Sequence, residues 1–94
     1  MQTLSRTLHE EVTFDHSRVT SVNWASYPIL TFPEAPVVQV ALIDRPEKPS
    51  DGAGEASSAP IAAALANAIF DATGVRLRSV PFTAERVKTA FAKG

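Results

Sequence analysis

One carboxylate in the chain stands where a reacting group would. Glu55 closes the run Asp51-Gly52-Ala53-Gly54-Glu55, directly ahead of the longest apolar stretch. Gly52 and Gly54 let a backbone approach a ligand closely, and loop flanks suit a side chain presented to a substrate. The helix expected next turns its positive end toward Glu55 and favours the ionised form that a general base requires. The competing role is a solvated carboxylate that merely complements the helix dipole, which is the rule for exposed glutamates. The same turn offers backbone N–H groups to a phosphate, but the other features of a nucleotide motif are missing.

Few other residues compete. Ser57 or Ser58 suits a helix cap better than a nucleophile, because no base lies near in sequence. His9 and His16 are the only imidazoles, too few alone for a typical zinc site. Arg76 and Arg78 share one face of a short alternating segment, where a solvated face is commoner than an anion site. Trp24 and Tyr27 read as core or interface aromatics. The chain has no cysteine, which excludes a disulfide framework, a thiolate metal site and a Cys nucleophile. A net charge of −1 gives no electrostatic reason to expect nucleic acid as a partner.

The elements that must position Glu55 follow from patterning. Over residues 61–72, Ile61, Leu65, Ala68, Ile69 and Ala72 recur at helical spacing, with Phe70 widening the stripe. Pro60 fits a first turn and Gly74 a left-handed C-terminal cap. Ala62, Ala63, Ala64 and Ala66 keep the other faces small, so this alanine-rich helix is expected to be buried. Leu4 and Leu8 sit at a helical interval and read as the last turns of a helix, an expectation that the chain is part of something longer. Residues 11–14 and 18–24 alternate and predict two antiparallel strands, with Asp15 or His16 in a tolerant turn conformation. Residues 27–36 contain Pro28, Pro33 and Pro36 and predict an irregular crossing. Val37, Val38, Val40, Leu42 and Ile43 predict a strand buried on both faces, and residues 75–80 predict a fourth strand. Thr83 is expected to cap a short final helix with Val87, Ala90 and Phe91 as its stripe. The sum is one domain, 1–94, of α+β class: a small, mainly antiparallel sheet of about four strands packed with a central helix and short terminal helices.

With those residues placed, the stretch from Gly52 to Phe82 resembles the C-terminal end of the molybdenum-cofactor-binding subunit of the xanthine dehydrogenase and aldehyde oxidase family. The likeness is nearest to its isoquinoline 1-oxidoreductase-like branch. The features that carry it are Gly52-Ala53-Gly54-Glu55, Pro60, the Ala64-Leu65-Ala66-Asn67-Ala68-Ile69-Phe70 helix, Gly74, and Arg76 to Pro81. Residues 10–36 also look like the family's hairpin and proline-rich crossing. Ala56 stands where many relatives have proline, and the hairpin turn lacks the usual glycine.

The resemblance implies that Glu55 lies beside molybdenum and acts as general base on a metal-bound hydroxyl, in oxidation of an aldehyde or N-heteroaromatic ring. It places Gly52, Ala53 and Gly54 in the loop near that site. It implies a molybdenum–pyranopterin cofactor in the complete enzyme and none bound to this chain alone. The implied partners are the remaining large-subunit domains and an iron–sulfur electron-transfer subunit, with self-association through uncovered apolar surface also expected. The alternative is a non-catalytic interaction or assembly module that binds another subunit through that surface. No apolar segment approaches the ~20 residues that span a bilayer, and no signal-peptide pattern opens the chain; a soluble protein of cytoplasm or periplasm is expected, with the compartment itself unread.

Overall fold

The computed structural model describes residues 1–93. Three α-helices form: α1 at Gln2–Leu8, α2 at Ser58–Thr73 and α3 at Ala84–Lys93, with a single 3-10 turn at Phe32–Glu34. Of these, α1 and α2 pack against each other. The Cα radius of gyration is 16.8 Å, against about 12 Å for a compact chain of this length. The fold is open, with long irregular segments running between helices.

The ends of α2 follow sequence rules. Pro60 lies in the first turn, where its missing N–H has no intrahelical acceptor to lose. Gly74 ends the helix at φ 73° and donates its N–H to the Phe70 carbonyl at 2.7 Å. That conformation suits glycine because a Cβ would crowd the following carbonyl. In α3, the Arg86 backbone N–H donates to Thr83 Oγ1 at 3.3 Å, the cap bond that the Thr83 position predicts.

The α+β expectation is overturned. Among the described residues there is no sheet, only one isolated antiparallel bridge between Phe14 and Val19. The hairpin at 13–20 is real but short, closed by Thr20 N–H to the Thr13 carbonyl at 2.8 Å. Its turn needs no left-handed residue: Asp15 Oδ1 instead accepts from Ser17 N–H, Ser17 Oγ and Arg18 N–H. Among the described residues, 37–43 and 75–80 join no strand ladder. Val37 and Leu42 are each 92% exposed, so the segment expected at the centre of a sheet lies in solvent. A β-branched apolar run describes a surface that suits a sheet interior, but the ladder requires neighbouring strands. Those neighbours do not occur among the described residues.

The expectation of a buried central helix is corrected in the same way. No residue of α2 is buried. Ile61, Leu65 and Ile69, with Ala62 and Ala66, form one half-covered stripe, and Ala63, Ala64, Ala68 and Ala72 face solvent.

The core is small and centres on α1. Phe82 is the one large apolar side chain buried among the described residues, beside buried Ser5 and Thr7. The Phe82 N–H donates to the Thr7 carbonyl at 2.6 Å, and Thr7 Oγ1 donates back to the Thr3 carbonyl at 2.7 Å. Ser5 Oγ accepts the Leu30 N–H at 2.9 Å and so holds the proline-rich crossing against the helix. Polar residues occupy this helix face because they supply hydrogen bonds to loops that have no sheet to satisfy them. Leu4 and Leu8 are half-covered there, while Phe32 stands 94% exposed.

Candidate functional site

Glu55 lies in the turn 54–57 that leads directly into α2. Two hydrogen bonds shape that turn. The Ser57 hydroxyl donates to the Gly54 carbonyl at 2.7 Å, and the Ser58 N–H donates to the Glu55 carbonyl at 2.9 Å. Ser57 therefore does not cap the helix with its side chain; its backbone is already in the right-handed helical region, at φ −71° and ψ −16°. Ser58 is engaged elsewhere, since its Oγ accepts from Thr3 Oγ1 at 3.2 Å. That contact ties the first residue of α2 to α1. Both serine hydroxyls thus serve the turn and its docking, where the sequence suggests a cap.

The Glu55 carboxylate is exposed and has no side-chain hydrogen bond or ion pair among the described residues. Gly52 and Gly54 have ordinary negative-φ or extended backbones, and a Cβ built on either would meet nothing within 4 Å. Their own chain does not demand glycine at these positions. The space around both is open, in the loop that precedes Glu55. Ala53, between them, is equally exposed, and the Asp51 side chain accepts only from the Gly52 N–H, at 2.8 Å.

Tested against a molybdenum–pyranopterin group, these residues fit one wall of a site. They offer a free proton acceptor and an open approach; they supply no sulfur ligand, since the chain has no cysteine. No cluster of three or more His, Asp or Glu side chains with metal-binding geometry occurs among the described residues. His9 and His16 are far apart in role: His9 Nε2 lies 3.4 Å from Glu34 Oε1, while His16 sits in the exposed hairpin turn.

The other polar constellations are structural. Glu34 accepts from the Thr31 hydroxyl at 2.6 Å and the Thr31 N–H at 2.8 Å. These bonds, with the nearby His9, hold its carboxyl below the usual glutamate range. The Tyr27 hydroxyl donates to Glu10 Oε2 at 2.8 Å, and that bond to an anion pushes the phenol up. Arg76 stacks 4.0 Å from the Phe70 ring centroid and donates to Asn67 Oδ1 at 2.7 Å, which returns the loop after α2 onto the helix. A cavity of about 390 Å³ opens between α1 and the crossing, lined by Met1, Ser5, Ile29, Leu30 and Phe32 among others; it does not include Glu55.

Sequence comparison finds relatives among dehydrogenase subunits. A nicotinate dehydrogenase subunit from Pseudomonas putida is 54% identical over 91 residues, which is 97% of this chain and 8% of that protein. The xanthine dehydrogenase molybdenum-binding subunit of Escherichia coli O157:H7 is 32% identical over 90 residues, 89% of the chain and 12% of that protein. A membrane-bound aldehyde dehydrogenase of Gluconacetobacter polyoxogenes, named for pyrroloquinoline quinone, is 33% identical over 78 residues, or 83% of the chain and 10% of that protein. The chain therefore spans about a tenth of the curated relatives it matches. No family model matches, and no solved structure does. The names of these relatives support the xanthine dehydrogenase and aldehyde oxidase resemblance, and two of them name subunits of multi-subunit dehydrogenases. Among the described residues no helix is long and apolar enough to cross a membrane.

Proposed function

We propose that this chain is a segment of the molybdenum-binding subunit of an oxidoreductase and that it supplies Glu55 as the general base. The observation that carries this reading is a carboxylate displayed without a partner, on an open Gly52–Gly54 approach, in a chain 54% identical to part of a nicotinate dehydrogenase subunit. That relative's name favours an N-heteroaromatic substrate over an aldehyde. By resemblance the segment stands at the C-terminal end of its subunit, near the isoquinoline 1-oxidoreductase-like branch.

When bound in the complete enzyme, the molybdenum cofactor supplies the redox chemistry. The part played by this chain is narrower. A Glu55 carboxylate oxygen accepts a proton as the substrate is oxidised, and the small uncharged residues Gly52, Ala53 and Gly54 leave that oxygen accessible. Remaining large-subunit domains hold the cofactor, and an iron–sulfur subunit carries electrons away. The chain alone is inactive on this reading.

A second reading, a non-catalytic assembly module, is favoured by the exposed run at 37–43. One experiment separates the two. Deleting this segment from the complete subunit and supplying it in trans should restore turnover with Glu55 present and not with Glu55→Gln. Equal restoration by both forms assigns the segment to assembly.

A further inference from the structure

We infer that Ser57 is the positioning residue for Glu55, its hydroxyl fixing the turn that aims the carboxylate; the inference rests on the base assignment above. Two bonds hold the backbone on either side of the Glu55 side chain. Ser57 Oγ fixes the carbonyl of Gly54, the residue before it, at 2.7 Å, and Ser58 N–H fixes the carbonyl of Glu55 itself at 2.9 Å. The second bond belongs to the start of a helix and any residue at 58 other than proline makes it. The first needs a hydroxyl.

The hydroxyl's alternative use is absent. Ser57 occupies the N-cap position of α2, where a serine ordinarily accepts from an N–H inside the helix. Here it makes no such bond and instead donates backward across the turn. It therefore stabilises the segment that carries Glu55 more than the helix behind it. Upstream, nothing else among the described residues fixes the loop: Gly52 and Gly54 have open space around them, and Asp51 bonds only its own neighbour. Downstream, Thr3 holds Ser58 to α1 at 3.2 Å, so the turn is referenced to the packed part of the molecule. Without the Ser57 bond the carboxylate would be anchored on one side only. A general base misplaced by about 1 Å can lose on the order of 100-fold in rate.

The test uses the complete, molybdenum-loaded enzyme that carries this segment, with Ser57→Ala, Ser57→Thr, Glu55→Gln and the double variant Ser57→Ala/Glu55→Gln. The expected result is a kcat roughly 10- to 100-fold lower for Ser57→Ala with KM unchanged, and recovery in Ser57→Thr, which keeps the donor. The double variant should be no slower than Glu55→Gln alone, because Ser57 acts only through Glu55. The inference is overturned by a Ser57→Ala enzyme with normal kcat, by additive losses in the double variant, or by a kcat loss matched by lost molybdenum. A Glu55→Gln enzyme with normal turnover removes the base assignment itself and the inference with it. A slow Glu55→Gln beside a normal Ser57→Ala removes the inference alone.

Discussion

The Arg86 guanidinium grips both oxygens of Glu11, 75 residues away in sequence, at 2.7 and 2.9 Å, and its other terminal nitrogen donates to the Pro81 carbonyl at 3.2 Å. Through this pair α3 is tied to the segment that follows α1. Both side chains are close to half exposed, so solvent screens the attraction and the pair is worth about 0.5–1 kcal/mol. A double-mutant cycle with Arg86→Met and Glu11→Gln should return a coupling of that size. The coupling should shrink as salt rises.

Ser5 tests the polar core. It is 6% exposed and its hydroxyl is the acceptor for the Leu30 N–H. Ser5→Ala leaves that amide without its acceptor, at a cost of about 1–3 kcal/mol. Urea unfolding of the chain should show a lower midpoint with the slope retained. An unchanged midpoint would mean that water satisfies the amide equally well.

Glu34 gives an acid-side signature. The Thr31 hydroxyl and N–H, with His9 beside them, depress its folded pKa below the ordinary 4.5. A depressed carboxyl stabilises the fold above its unfolded value, and that stabilisation is lost as pH falls through the folded value. Stability of the chain should therefore fall on acidification below about pH 4.5, and the fall should be shallower in Glu34→Gln. Thermal unfolding from pH 7 to pH 3 compares the two curves; identical acid limbs would contradict this account.

Helix ends were the legible part of the fold. Pro60 and Gly74 frame α2, and Thr83 caps α3, because these residues act through local backbone geometry that sequence spacing records. The sheet was not legible. Val37, Val38, Val40, Leu42 and Ile43 have the composition of a buried strand, but composition states which surroundings a segment suits and not whether the described residues provide them. The stripe of α2 misleads for the same reason: α1 covers one face only. Within the candidate site, the position of Glu55 in an exposed turn was readable from its glycines and the following helix. The Thr3–Ser58 contact was not, since it joins residues 55 positions apart, and the backward bond of Ser57 competes with a cap that looks equally good in sequence.

The exposed run makes its own prediction. With Leu42 at 92% and Ile43 at 82% exposure, the isolated chain should self-associate as concentration rises. Val38→Lys/Leu42→Lys should reduce that association in sedimentation velocity without altering helix content. A wild-type chain that stays monomeric at high concentration would remove this surface as an interface between copies.

Glutamine at position 55 keeps nearly the shape of glutamate but cannot take up a proton at neutral pH. In the isolated chain Glu55→Gln should leave stability essentially unchanged, because the carboxylate has no side-chain partner among the described residues. In the complete, molybdenum-loaded enzyme the same substitution should lower kcat by roughly 10²–10⁴-fold, with KM and molybdenum content little changed. Steady-state kinetics with an N-heteroaromatic substrate, beside a metal assay, is the most direct measurement. A fully loaded Glu55→Gln enzyme that turns over at the wild-type rate would contradict the account.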